Sequence, residues 1–316
     1  MTRSLLPSTA LALLCALPLG GTAAAASADI DTVRLGVPPW PGVTVKSEVA
    51  AQLLEAMGYR TRQNNLAVSV ILDGLARGDL EAYLGGWYPV EEDMVEPLVD
   101  QGKVVKATAN IRGATSGLVV PDYVYEAGVH SVADLDAYRD RFDGEILGIE
   151  AGTGINNAVN AAIEADRAGL GDWSLRESST AAMLAQAGQK IDNHQWVTFI
   201  GWEPHWMNIS YDLRYLADSD DAGVADIRST VWTVLPADLE ARDADVYRFF
   251  SQMVVDIDDQ NQWVDAHGHE EKKAEDVARR WIGSHLDEVA TWLDGVEAKD
   301  GQPAIDAVRA RFDQAG

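Results

Sequence analysis

Apolar residues along this chain come in short runs separated by Gly, Pro and charged stretches, and the runs switch between two periods. Val33-Arg34-Leu35-Gly36-Val37 alternates with period two and predicts a strand that stops at Pro38-Pro39. From Val43 to Met57 the spacing is helical, with Gly58 as the stop. Leu66 to Val70 reads as a second strand and Ile71 to Arg77 as a short helix. Leu80 to Leu84 reads as a third strand that breaks at Gly85-Gly86-Trp87. Further on, Leu118 to Val120 and Ile146 to Ile149 predict strands, with a helix opened by Ser131 and Asp134 between them. Gly152-Thr153-Gly154 introduces a helix from Ile155 to Arg167, and Thr180 to Ala187 is helical. Val197 to Ile200 and Val231 to Leu235 complete the strands, and from Ala237 onward the pattern is helical. Strand–helix alternation of this kind implies open α/β sheets with mostly parallel strands.

The first residues follow a different plan. Arg3 is the only charge before Asp29, and between them lie an apolar run from Leu11 to Leu19 and a small-residue tract from Ala23 to Ala26. A charged start, a short apolar core and an Ala-x-Ala exit predict a secretory signal over residues 1–26, cleaved near Ala26. The run is shorter than the about 20 residues that a membrane span requires. Cys15, the only cysteine, falls inside this segment behind Leu14, which is not the small residue a lipoprotein signal places there. The exported chain is therefore expected to carry no disulfide, no thiolate nucleophile and no cysteine-ligated metal.

Composition then narrows the classes of function. The chain has 316 residues, 47% of them hydrophobic and 24% charged, with a net charge of −25. That suits one or two globular domains rather than a disordered segment. A polyanion or an anionic membrane needs a basic face, so the charge argues against both as partners. No Gly-x-Ser-x-Gly elbow, no Gly-x-x-x-x-Gly-Lys loop and no pair of metal histidines at helical spacing is present. His267-Gly268-His269-Glu270 reads as a solvated face rather than a metal site. No enzymatic chemistry, cofactor or metal is expected.

The tryptophans carry the positive signal. In open α/β sheets, ligands sit beyond the carboxyl ends of the strands. Trp40 follows the first predicted strand, Trp87 the third, and Trp202 the strand at Val197 to Ile200, each beside Gly or Pro. Indole faces attract cations without asking for a hydrogen bond, so they suit a quaternary ammonium. Three or four desolvated faces at up to about 2 kcal/mol each would supply roughly 6 of the about 8.2 kcal/mol of a micromolar Kd. A stacked sugar or nucleobase is the competing aromatic reading, and it would call for more polar neighbours. Gly152-Thr153-Gly154 and Pro41-Gly42-Val43 each precede a helix, where backbone amides either cradle an anion or simply begin the helix. His205, three residues after Trp202, is a further candidate anion donor.

Gly201-Trp202-Glu203-Pro204-His205-Trp206-Met207-Asn208 resembles the Gly-Trp-x-Pro-His segment of periplasmic glycine betaine and choline binding proteins, the capture components of osmoprotectant ABC importers. The Trp40 loop, Leu84-Gly85-Gly86-Trp87-Tyr88-Pro89 and Gly148-Ile149-Glu150-Ala151-Gly152 are similar to the same family in the same order. The resemblance implies a two-lobed α/β periplasmic binding protein fold of type II-like organisation, with the ligand between the lobes. Residues 27–112 and 229–316 would form the first lobe and residues 113–228 the second. It implies a monomeric periplasmic receptor that holds a methylated ammonium compound in an aromatic cage and delivers it to an inner-membrane ABC permease. Trp40 and Trp87 would come from the first lobe and Trp202 from the second.

Choline-binding members carry an acidic residue at the position of Gly42 and a cage tyrosine near Ser116, and both are missing here. Gly42-Val43 is similar to the betaine arrangement, in which backbone amides and the motif histidine, here His205, take the carboxylate. Glu150 would instead repel a carboxylate if it faced the pocket, and would suit a bare cation or an N-oxide. Trp206 or Trp232 is a candidate for the missing wall, and Thr153 for a polar contact. Glycine betaine is the first expectation, with trimethylamine N-oxide, choline or carnitine as alternatives.

Overall fold

The computed structural model describes residues 30–219 and 222–312, together with Thr2. The expected export signal, with Cys15, lies outside the described residues. The chain begins with β1 (Thr32–Val37), α1 (Pro41–Ala56), β2 (Arg60–Asn65), α2 (Val68–Arg77), β3 (Ala82–Tyr88) and α3 (Glu92–Asp100). The long β4 (Val104–Pro121) follows, then two single turns, α4 (Asp122–Tyr125) and α5 (Asp134–Ala137). Next come β5 (Glu145–Leu147), α6 (Gly154–Glu164), β6 (Ser174–Arg176), α7 (Thr180–Asp192), β7 (Phe199–Glu203), α8 (Met207–Ser210) and β8 (Leu213–Tyr215). A second long strand, β9 (Ile227–Pro236), precedes α9 (Leu239–Arg242), α10 (Ala244–Gln252), α11 (Ile257–Val264), α12 (Ala274–Ser284), α13 (Leu286–Trp292) and α14 (Ala304–Phe312).

The strands form one sheet in the order β2-β1-β3-β9-β4-β7-β5-β6, with β8 also on β4. Two parallel groups, β2-β1-β3 and β7-β5-β6, flank the antiparallel pair β9-β4. The expectation of mostly parallel strands therefore holds for the flanks only. Every pairing between β3 and β7 across the middle is antiparallel, so the two groups run in opposite senses. They also attach to different stretches of the central ladder. Trp87 near the end of β3 lies opposite Val231. Trp202 near the end of β7 lies opposite Ser116, which lies opposite Ile227. The carboxyl ends of both groups thus meet on one short stretch of β9. That is where ligand sites in open sheets are built.

Two local expectations change. Leu66 to Val70 is not a strand: its apolar residues lead into α2, which buries Val68, Ile71, Leu72 and Leu75. The strand is the preceding Arg60–Asn65, Arg-Thr-Arg-Gln-Asn-Asn, an edge strand with no apolar face. Gly85-Gly86-Trp87 continues β3 instead of breaking it. Gly86 allows the close approach of β9, because a Cβ there would meet the Trp232 carbonyl oxygen at 3.1 Å.

The apolar core runs along both faces of the sheet. Under α1 it is built on indoles: Trp263 meets Trp281 edge-on with centroids 5.0 Å apart, and Trp281 stacks on Trp292 at 5.3 Å. On the far flank, Trp173 and Trp196 pack against Phe142 at 5.6 and 5.3 Å. Five of the ten tryptophans are thus structural. Helix α1 is enclosed on nearly every side, burying residues from Gly42 through Leu54 that include Lys46, Ser47 and Gln52.

Trp263 is 1% exposed, so its truncation leaves a large void. Trp263→Ala is expected to cost about 3–5 kcal/mol in urea unfolding. A loss below about 1 kcal/mol, the range of surface substitutions, would remove it as a core anchor.

Candidate ligand-binding site

Trp40 occupies the N-cap position of α1, set there by Pro38-Pro39 before it and Pro41 at the first helical position. Its indole Nε1 donates to Glu150 Oε2 at 3.2 Å. The same carboxylate accepts from the Thr180 amide at 2.7 Å and the Thr180 hydroxyl at 2.8 Å. Glu150, half-buried, is therefore occupied in holding the Trp40 ring, and it lines neither chamber of the site.

Trp40, Trp87 and Trp202 come together around one half-open cavity. Its remaining wall is apolar at Val90, Ile149, Ile155 and Ile200, and polar at Glu91, Ser116 and Thr153. Thr153 caps the start of α6, with its hydroxyl donating to the Glu150 carbonyl at 3.0 Å. Ser116, standing where a cage tyrosine is missing, shares a 3.3 Å hydroxyl contact with Ser229.

The same three indoles line a second, smaller chamber on the side of α1, completed by Gly42, Val43, Lys46, Gln260 and Pro204 among others. Gly42 and Val43 belong to the first turn of α1, whose amides have no acceptor within the helix. Gly42 is a steric requirement. A Cβ there would come 2.0 Å from Gln260 Nε2, so an acidic side chain at this position would need Gln260 to move.

His205 and Trp206 line a neighbouring cleft with Pro39, Pro41 and Thr180, not either of the two chambers. The His205 ring stands edge-on to Trp202 with centroids 4.7 Å apart, behind the cage wall. Its Nδ1 accepts from the Met207 amide at 3.2 Å, and its buried Nε2 has no partner among the described residues. Burial pushes its pKa down to about 3, so it is neutral. Trp206 stacks on His269 at 5.7 Å and touches Tyr211. Trp232 faces Tyr88 and the Lys106 ammonium, away from the cavity. Of the residues singled out from the sequence, Trp40, Trp87, Trp202, Gly42, Val43 and Thr153 line the chambers. Glu150, His205 and Trp206 support them or lie beyond.

This geometry can be set beside known proteins. Residues 31–284 match the OpuAC family, described as the substrate binding domain of the ABC-type glycine betaine transport system. The chain belongs to this family. As a member it is the substrate-binding component of an ABC transport system of the glycine betaine type and not an enzyme. It is similar to a structure of an ABC-transporter choline binding protein in complex with choline, with TM-score 0.85 and 28% identity over 89% of this chain and 98% of the other. Lactococcal OpuAC in its closed form with glycine betaine gives TM-score 0.74 and 27% identity, over 83% of this chain and 99% of that one. The glycine betaine/carnitine transport binding protein GbuC of Listeria monocytogenes is 30% identical over 174 residues, 54% of this chain and 57% of that relative. The family's two-lobed fold is thus the fold of this chain.

Three polar lining residues are not among those singled out from the sequence: Glu91, Lys46 and Gln260. Glu91 is 1% exposed and takes hydrogen bonds from the Tyr83 hydroxyl at 3.2 and 3.4 Å. Burial raises its carboxyl to about 8, with the Tyr83 contact acting against the shift. Lys46 is 1% exposed, donates to Asn110 Oδ1 at 2.6 Å, and is pushed down to about 7 by burial. Their signals in the sequence are slight. Glu91 opens the acidic run Glu91-Glu92-Asp93, and Lys46 is one of only seven lysines, set among valines.

His205 has a pKa lower in the folded than in the unfolded chain, so its contribution is complete above about 6.5 and lost as pH falls toward about 3. Between pH 7 and pH 5 this residue is expected to cost the fold about 2 kcal/mol. Glu91, raised by burial, contributes the opposite slope, so the comparison must be between wild type and His205→Gln. Urea unfolding at both pH values should show the wild type losing about 2 kcal/mol more than the variant. Equal losses would mean that His205 is not neutral in the fold.

Proposed function

We propose that this chain is a periplasmic receptor that captures glycine betaine between two lobes and hands it to an inner-membrane ABC permease. The observation that carries the reading is the convergence of Trp40, Trp87 and Trp202, from three separate strand ends, on one cavity. A trimethylammonium group offers no hydrogen-bond donor, and indole faces are the surface that stabilises it when water is removed. The lobes are residues 27–112 with 229–316, and residues 113–228, linked through the paired strands β4 and β9. Trp40 and Trp87 then belong to one lobe and Trp202 to the other. Closure brings the rings together, and the Trp40–Glu150–Thr180 hydrogen bonds join the lobes behind the cage.

The tail of the ligand decides between methylated amines. Gly42 and Val43 amides at the start of α1 suit a carboxylate. The Gln260 side chain fills the space that an acidic residue at position 42 would need to meet a choline hydroxyl. Both features support a carboxylated ligand over choline. The residues 1–26 supply the export signal that a periplasmic location requires, and no helix among the described residues is long and apolar enough to cross a membrane.

Calorimetric titration of the exported chain with glycine betaine, choline, carnitine and trimethylamine N-oxide tests this reading. Glycine betaine is expected to bind most tightly, at micromolar Kd or better. Trp202→Ala should weaken that binding by at least about 1 kcal/mol, roughly fivefold. Absence of binding by all four compounds would sink the cage. Tighter binding of choline than of betaine would overturn the assignment of the tail.

A further inference from the structure

At Glu81 the fold buries a carboxylate and supplies its counter-charge. Glu81 is fully buried and meets Arg34 at 2.7 Å and Arg242 at 2.8 Å. Two other buried ionisable groups, Lys46 and Glu91, have no such counter-charge among the described residues, and both line the tryptophan site. Lys46 makes no ion pair among the described residues. Its neighbour Asn110 is neutral and gives its own amide to the Leu84 carbonyl at 3.2 Å and the Thr233 hydroxyl at 2.9 Å. An ammonium has three donors, and only one of them is met here. The buried Gln260, which lines the same chamber, has an Oε1 with no partner among the described residues. Glu91 likewise meets no cation; the Tyr83 phenol is its side-chain partner. Burial without an opposite charge pushes each group toward its neutral form, and a counter-ion brought into the site restores the charge.

The two groups lie in different chambers. Glu91 lines the one with Ser116 and Thr153, Lys46 the one with Gly42 and Gln260, and the three indoles are common to both. Resting on the methylammonium reading above, we propose that Glu91 and Lys46 form a charge template for a zwitterion: the cationic head lies toward Glu91 and the carboxylate toward Lys46. The ligand then supplies both missing counter-ions at once. A cation without a carboxylate satisfies only Glu91 and leaves Lys46 unpaired, which makes Lys46 the residue that discriminates betaine-like zwitterions from choline. Burial moves Lys46 down to about 7 and Glu91 up to about 8, and a zwitterion between them favours the charged form of each.

Glycine betaine and choline share the trimethylammonium head and differ in the tail, so the ratio of their affinities reads the template. Calorimetry on Lys46→Met is expected to show a loss of at least about tenfold for betaine, with choline unchanged within about threefold or bound more tightly. Glu91→Gln should weaken both ligands by similar factors, leaving the ratio where it was. Asn110→Asp provides a second route should Lys46→Met fail to fold, since it gives Lys46 an internal counter-ion and should also lower the betaine-to-choline ratio. An unchanged ratio in Lys46→Met or, if that variant does not fold, in Asn110→Asp would overturn the proposal, as would a Glu91→Gln variant that binds both ligands like wild type. Wild type that binds neither compound would remove the methylammonium reading and this proposal with it. Normal wild-type binding with an unchanged ratio removes the template alone.

Discussion

Three indoles can enclose one small cation only if three distant chain segments end at the same place, and the antiparallel pairing of β4 with β9 is what makes them do so. Each parallel group alone would present its carboxyl ends to its own side of the sheet. Because β3 attaches to β9 and β7 attaches to β4 at neighbouring stretches of the ladder, the ends face each other across a few residues. Shifting that register would leave Trp87 and Trp202 facing different spaces. The ladder is irregular where this matters, with register shifts between Lys106 and Thr108, Ala109 and Ile111, and Ile111 and Ala114. Such bulges bend and re-aim strands, and here they fall beside the cavity.

The three indoles are held from behind as well as brought together at the cavity. Trp40 is fixed by prolines on both sides and by the hydrogen bond to Glu150, which Thr180 in turn grips with its amide and hydroxyl. Trp202 has the neutral His205 ring against its outer side. A ring already in place loses little freedom when a ligand arrives, so more of the contact energy appears as affinity. Residues that the motif marks as important can thus serve the site without touching its contents.

Much of this arrangement is legible in the residues. The alternation of strands and helices, the turn after Pro38-Pro39 and the position of each cage tryptophan follow from periodicity and from Gly and Pro punctuation. What escapes is of two kinds. Arg60–Asn65 is a strand with no apolar face, because an edge position in an α/β sheet lets both sides of the strand reach water. Periodicity has nothing to register there. Glu91 and Lys46 escape for the opposite reason: they are charges placed inside. An acidic run such as Glu91-Glu92-Asp93 normally signals a solvated face, and only the closing of α3 against the strand ends turns its first member inward. Glu150 is visible as a charge near the site, but its partner Thr180 is thirty residues away on another element. Hydrogen bonds of that range leave no local pattern.

The polar edge strand has a consequence of its own. The sheet begins at β2, Arg-Thr-Arg-Gln-Asn-Asn, and its path ends at β6, Ser-Leu-Arg, so both outer strands are short and carry arginine. Unpaired strand edges are the usual template on which one chain adds to another. Short, charged, side-exposed edges discourage that addition. A binding protein that carries its sheet edges in this form is kept from extending that sheet into a neighbour's.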